Sequence, residues 1–178
     1  MKIKAVYPGT FDPIHFGHED IIRRGASLFD ELLVAVYDKP LKSLLFTPED
    51  RLALVRASVA QMNLSNVMVT GYSGLTVDFC RAVDAKVMVR GLRVFSDFEH
   101  EFRIALANHR LAPGIETVSL ITSEQHTFLS STSVREIASL GGDVSTMVSP
   151  PVAAALKRRF LELGEDGGKI VAMTSLRD

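Results

Sequence analysis

The sequence predicts an α/β fold, doubly wound around a five-stranded, mainly parallel sheet with helices on both faces. Three observations predict it. Short β-rich runs alternate with segments of helical period from one end of the chain to the other, the order that βαβ units require. The run "LLVAVYD" (32–38) is apolar on both faces, as strands covered on both sides by helices are. The length of 178 residues, 47% hydrophobic and 23% charged, suits a single domain with a sizeable core.

The elements follow in order. "IKAVY" (3–7) reads as a buried strand that stops at Pro8-Gly9. "EDIIRRGASLF" (19–29) places Ile21, Ile22, Gly25, Leu28 and Phe29 on one helical face. After the second strand, "TPEDRLALVRASVAQM" opens as a helix should. Thr47 can cap, Pro48 takes the first helical position, and Asp50 stands where a capping box puts its acid. "VMVTG" (67–71) and "VMVRG" (87–91) are strands ending in glycine, with helix-like "LTVDFCRAV" between them. Within it Cys80 sits among Val77, Phe79 and Val83, as a core residue would. "DFEHEFRIALANHRL" (97–111) is helical and "TVSLIT" (117–122) is the fifth strand. "SSTSVREIASL" (130–140) and "PPVAAALKRRFLEL" (150–163) are the last helices. Residues 1–163 therefore make the predicted domain, Rossmann-like in its alternation. Residues 164–178, "GEDGGKIVAMTSLRD", have no clear period and read as a C-terminal extension, mobile or packed on a partner.

Bulk charge excludes some functions. Lys and Arg number 20 against 21 Asp and Glu, a net charge of −1, so no basic excess points to nucleic acid or a membrane surface. The single cysteine excludes an intramolecular disulfide and fits a reducing compartment. No apolar run approaches the roughly 18 residues of a membrane span. The apolar run at the N-terminus stops too soon for a signal peptide, so a cytoplasmic location is expected.

In open α/β sheets ligands bind beyond the carboxyl ends of the strands. The first strand is followed by "PGTFDPIHFGH", the second by "KPLKS" with Lys42, the third by "GYSGLT". "RGLRVFSDFEHE", with Arg90 and Arg93, follows the fourth, and "SEQHTFLSSTSVRE", with Ser130, Ser131, Thr132 and Arg135, the fifth. Arginine, lysine, histidine, hydroxyls and helix N-termini all bind anions. Gathered on one edge of a near-neutral molecule, they point to a small polyanion, with phosphates the obvious class. No Walker A sequence is present, and no GxGxxG follows a strand. "HFGH" leading into "EDII" offers another phosphate site: a glycine that lets backbone approach, flanking His15 and His18, and a helix N-terminus. Each feature alone has a plainer reading. His15 and His18 could be a zinc pair without a visible third ligand, or turn residues; "RGLR" surface charge; "SSTSVRE" an ordinary cap; Lys42 a loop lysine. Their convergence on one edge favours phosphate.

In this order and spacing, "PGTFDPIHFGH", "RGLR", "DFEHE" and "SSTSVRE" resemble the bacterial phosphopantetheine adenylyltransferases, over residues 3 to 160. That family belongs to the HxGH nucleotidyltransferase superfamily. "GTFDPxHxGH" marks the superfamily and the other motifs narrow it. The resemblance implies transfer of the adenylyl group of ATP to 4′-phosphopantetheine, giving dephospho-coenzyme A and pyrophosphate, the penultimate step of coenzyme A biosynthesis. The acceptor phosphate would attack the α-phosphate in line, without a covalent intermediate. It implies a catalytic set of His18, Lys42, Thr10 and Arg93, with His18 on the α-phosphate in the transition state and His15 secondary. Thr10 would touch both substrates, and Phe11, Gly91, Leu92, Arg93 and Glu101 the nucleotide. The segment His126, Thr127, Phe128, Leu129, Ser130, Ser131, Thr132 would close over ATP. Arg90 would grip the incoming phosphate beside Lys42, with Thr76 and Asn108 along the pantetheine arm. It also implies Mg²⁺ held by ATP phosphates and water rather than by protein ligands, coenzyme A as feedback inhibitor, and a homohexamer.

The chain departs from the family pattern at His100, where "FEYE" is usual, and at Phe16, where relatives often carry asparagine or leucine. Two other hypotheses compete. A different acceptor, such as nicotinate mononucleotide, would keep the superfamily, but "RGLR" with "DFEHE" argues against it. A non-catalytic nucleotide-binding module would not need His15, His18, Lys42, Arg90 and Arg93 together.

Overall fold

The computed structural model describes residues 2–40 and 43–164. Among them, β1 (Lys4–Gly9), β2 (Glu31–Tyr37), β3 (Val67–Tyr72), β4 (Val87–Leu92) and β5 (Glu116–Ile121) form one sheet in the order β3-β2-β1-β4-β5. Every pairing is parallel, so the expected "mainly parallel" sheet is wholly so. The helices between the strands are α1 (Phe16–Leu28), α2 (Pro48–Gln61), α3 (Thr76–Ala82) and α4 (Phe95–Leu111), and α5 (Ser131–Ser139) and α6 (Pro150–Leu163) follow β5. The extension from 165 onward lies outside the described residues.

Strand periodicity sorts the core into two layers. Ala5, Tyr7, Val34, Val36 and Val89 face α1, α2 and α6 through residues such as Ile21, Val55 and Val152. Their alternates Val6, Leu33, Ala35 and Met88 face the other way, onto Val77 and Cys80 of α3. Cys80 is fully buried there, as its apolar neighbours predict. Both faces of the central strands are covered, which is why they carry no polar alternation.

The chain lays down β1, β2 and β3 outward in one direction, then returns to place β4 on the other side of β1. Ligand crevices in such sheets form at this reversal. Here the ladder itself opens: β1 pairs with β2 over six residue pairs but with β4 only at Ala5↔Val87 and Val6↔Met88. That opening explains one difference from the sequence expectation. Pro8 and Gly9 continue β1 rather than ending it. A proline inside a central strand would normally cost a ladder bond. Past Val6 nothing on the β4 side asks Pro8 for an N–H, and its carbonyl accepts from Arg90 Nη1 at 3.1 Å instead.

Candidate functional site

A cavity of about 930 Å³ opens where β1 and β4 part. The loop from Gly9 to His18, the end of β4, the first turns of α4 and the N-terminus of α5 wall it.

α1 begins at Phe16, three residues before the apolar periodicity, because the histidines cap it. His15 is the N-cap, and its Nδ1 accepts from Gly17 N–H at 3.1 Å. His18, three residues on, turns its own Nδ1 back to accept from His15 N–H at 3.2 Å. The spacing in "HFGH" is thus that of a capping box, with imidazoles in place of the usual hydroxyl and acid. Each ring spends Nδ1 as an acceptor, so its proton sits on Nε2. The rings stack at 3.7 Å and 24°. Burial, then the charges of Arg93 and Arg90, hold the His18 imidazole down at about 3. Burial, then His18 and Arg93, push His15 well below its ordinary value. At neutral pH His18 is therefore an uncharged Nε2–H donor. Among the described residues no three His, Cys, Asp or Glu side chains are arranged to hold a metal, so a zinc reading of the pair finds no third ligand.

Phe11 supports the pair. Its ring stands edge-on to His18 (5.0 Å, 71°) and to Tyr7 (5.5 Å, 83°). Its backbone is left-handed, φ 52°, which costs on the order of 1 kcal/mol for a bulky residue. Burying the ring to 2% exposure offsets this by roughly 1.5–3 kcal/mol. Gly9 leaves the space: a Cβ there would meet the Phe11 ring at 2.8 Å.

Each arginine at the cavity is braced by a carboxylate. Arg90 donates from Nε and Nη2 to Glu101 at 2.7 and 2.6 Å. With Nη1 also on Pro8, this leaves one N–H on each terminal nitrogen of five in all, an edge that fits one more anion. Arg93 donates to Asp97 from Nε (3.1 Å) and Nη2 (3.3 Å), and from Nη1 to the Leu129 carbonyl at 3.0 Å. Against its partial burial, these bonds hold Asp97 below the usual carboxylate range. Arg135 and Asp12 form a third pair, both 2% exposed. Burial pushes the Asp12 carboxyl up; the N–H groups of Leu45 and Phe46, with Arg135 and Arg51, pull the other way. At α5, Ser130 caps Ser133 N–H at 3.0 Å and Ser133 Oγ returns the bond to Ser130 N–H at 3.2 Å. Two capped helix N-termini and the guanidiniums of Arg90 and Arg93 thus face one space, with Arg135 buried in its wall, an arrangement suited to a polyphosphate.

Most predicted site residues meet here. Thr10, Phe11, His15 and His18 line the cavity from the first loop, and Arg90, Gly91 and Arg93 from β4 and its end. Glu101 lines it from α4, and Ser130, Ser131 and Thr132 from the start of α5. The other described ones are not among its walls. Leu92 closes β4, its carbonyl accepting from Thr122 at 2.7 Å. His126 ends a single 3-10 turn and lies tilted on Phe16 at 6.3 Å. Thr127 follows it, its hydroxyl donating to the Ser123 carbonyl at 3.4 Å. Phe128 is 67% exposed and Leu129 buried. Thr76 shares a hydrogen bond with the Tyr72 hydroxyl at 3.0 Å, and Asn108 directs Nδ2 to Met88 Sδ at 3.6 Å. Lys42 lies outside the described residues. Sequence reasoning passed over Asp12 and Asp97, and counted Arg135 only as one more anion binder after the fifth strand. An aspartate before a proline and an arginine inside a capped helix carry no mark of the buried partner each will find.

Comparison with known proteins gives a family. The Cytidylyltransferase-like family model matches residues 6–137. The chain is 53% identical to the phosphopantetheine adenylyltransferase of Thioalkalivibrio sulfidiphilus over 160 residues, 90% of this chain and 99% of that one. It is 53% identical to the phosphopantetheine adenylyltransferase of Roseiflexus sp. (strain RS-1) over 156 residues, 88% and 96% of the two chains. Its fold is shared by the nicotinic acid mononucleotide adenylyltransferase of Plasmodium falciparum, solved with NaAD. That match has a TM-score of 0.69 at 15% identity, over 89% of this chain and 96% of that one.

Proposed function

The chain belongs to the phosphopantetheine adenylyltransferases, nucleotidyltransferases with a Cytidylyltransferase-like domain, and from that premise we propose how it moves the adenylyl group of ATP to 4′-phosphopantetheine. The products are dephospho-coenzyme A and pyrophosphate, placing the reaction one step before the end of coenzyme A biosynthesis. The acceptor phosphate is already ionised at neutral pH, its second pKa being about 6. It needs no general base and no covalent intermediate. What it needs is alignment and a field for the charge that spreads over the α-phosphate.

The observation that carries this reading is the state of His18. Its Nδ1 is committed to its own helix and its ring is neutral, so the opposite nitrogen offers a fixed donor to an α-phosphate oxygen. A neutral donor gives up no proton and keeps its geometry through the transfer. The free edge of Arg90 takes the acceptor phosphate. Arg93 and the N-terminus of α5 take the β- and γ-phosphates, which leave as pyrophosphate. Lys42, by its place in the sequence, joins them at the reacting phosphates, and Thr10 bridges the two substrates. Phe11, Gly91, Leu92 and the segment 126–132 serve the nucleotide, and Thr76 and Asn108 the pantetheine arm.

Mg²⁺ would arrive with ATP. The carboxylates at the cavity, Asp12, Asp97 and Glu101, are each held by an arginine, leaving phosphates and water as its ligands. Coenzyme A, which keeps the product's adenosine and pantetheine parts, fits the role of inhibitor at the same cavity. The homohexamer would need an apolar face to assemble on, and α4 offers one, where Phe95 (90% exposed), Phe98, Phe102 and Leu106 form a stripe at helical spacing. A cytoplasmic location agrees with a single cysteine and, among the described residues, no helix long and apolar enough to cross a membrane.

The test is pyrophosphate release with ATP and Mg²⁺, offering 4′-phosphopantetheine, nicotinate mononucleotide or glycerol 3-phosphate, with the product weighed. Release with phosphopantetheine alone, and a product of dephospho-coenzyme A mass, is expected. Release with another acceptor overturns the substrate; no release with any overturns the reaction.

A further inference from the structure

We propose that Asp12 is a positioning residue for adenylyl transfer: one buried carboxylate that sets the two capped helix starts at the cavity, α1 and α5, in register and ties the segment before α2 to them. It rests on the reaction proposed above.

Three segments meet at this side chain. Its Oδ2 accepts from Leu45 N–H at 2.9 Å and its Oδ1 from Phe46 N–H at 3.0 Å, which fixes the segment before α2. Its carbonyl accepts from Arg135 Nη1, and Oδ2 stands 3.5 Å from the same nitrogen. Arg135 Nη2 in turn donates to Thr132 Oγ1 at 3.2 Å, at the start of α5. Asp12 itself lies between Thr10 and His15 in the loop that leads to His18. A neighbouring buried cation holds the other end of that loop: Arg51 Nη1 donates to the Thr10 and Tyr37 carbonyls at 2.7 and 2.6 Å.

Both carboxylate oxygens are occupied, so Asp12 is ill-placed to take a proton, and the chemistry asks for no base. The pair sits in the dry, where its bonds are strong and stiff and leaving Arg135 unpaired would be costly. What it fixes is the spacing between the two capped helix starts, α1 carrying His18 and α5 carrying Ser131 and Thr132. In-line transfer tolerates little error there. A misplacement of about 1 Å can cost about 10²-fold in rate.

Asp12→Asn keeps the shape but offers one acceptor oxygen and turns an amide donor toward a donor. Turnover and calorimetric ATP titration, done on the same preparations, test the idea. The expected result is kcat down about 10²-fold, with ATP Kd within about threefold of wild type and every site titrating. A merely structural role would lose titratable sites and leave kcat per titrated site unchanged. Arg135→Lys, which keeps the charge and one of three contacts, is expected to fold and to lose about tenfold, and the double variant no more than Asp12→Asn alone. Losses that multiply in the double variant, or wild-type kcat per site in Asp12→Asn, overturn the proposal. If Asp12→Asn does not fold, wild-type kcat in Arg135→Lys overturns it. Wild-type protein inactive on phosphopantetheine overturns the reaction it rests on, whereas active wild type with an equally active Asp12→Asn overturns this inference alone.

Discussion

Gly17→Ala isolates the link between the capping box and catalysis. A Cβ on Gly17 would stand 3.0 Å from both Cε1 and Nδ1 of His15, closer than carbon contacts settle. The imidazole must give way by a few tenths of an ångström. In doing so it stretches the 3.1 Å bond from Gly17 N–H and presses on the His18 ring stacked 3.7 Å away. Two stability effects oppose each other. Alanine in the first turn gains up to about 0.5–1 kcal/mol over glycine. The weakened cap loses about 1 kcal/mol. Their near-cancellation predicts a Tm within about 4 °C of wild type for a chain of this size. Turnover has no such compensation, because a displaced His18 Nε2 misses the α-phosphate oxygen. With about 10²-fold per ångström as the scale, kcat should fall about tenfold while ATP Kd changes by less than about threefold. Pyrophosphate release, thermal unfolding and ATP titration on one preparation read all three. A kcat within twofold of wild type at unchanged Tm would show that the box does not set His18.

His18→Ala should keep ATP affinity within about tenfold and lose about 10²–10³ in kcat, the scale of one transition-state donor; turnover near wild type would remove His18 from that role. The titration of His18, depressed to about 3, should not appear in kcat between pH 5 and 9, and an inflection near 6.5 that disappears in His18→Gln would contradict the neutral-donor assignment. Stability carries the opposite face of the same shift. Unfolded chain takes up protons below about pH 6.5 that folded His15 and His18 refuse, so Tm should fall as pH drops from 6.5 toward 3, less steeply in the double alanine variant. Phe98→Glu with Phe102→Glu puts two carboxylates into the α4 stripe and should shift the sedimenting species toward monomer; an unchanged assembly would place the interface elsewhere.

Much of the molecule was legible as sequence. Thr47, Pro48 and Asp50 began α2 as their chemistry requires, because capping is decided within four residues. The strand order was not legible, yet the rule that ligands bind beyond strand ends still picked the loops after β1, β4 and β5 that wall one cavity, whereas the described residues after β2 and β3 do not line it. Where local reasoning failed, a distant partner had intervened. Pro8-Gly9 looked like a turn and is strand, because the missing N–H faces a ladder that has already opened toward β4.

The sequence by itself determined the alternation of strands and helices, the two apolar layers of the sheet and the gathering of anion-binding residues after the strands. These depend on periodicity and on short-range chemistry, which a linear chain carries whole. Only the tertiary structure decided what those residues would be. Burial beside Arg90 and Arg93 made His18 a neutral donor, Glu101 and Asp97 turned the two arginines into oriented edges, and Arg135, 123 residues away, made a strut of Asp12. Charge state and direction depend on desolvation and on partners remote in sequence, and both exist only once the chain has closed on itself.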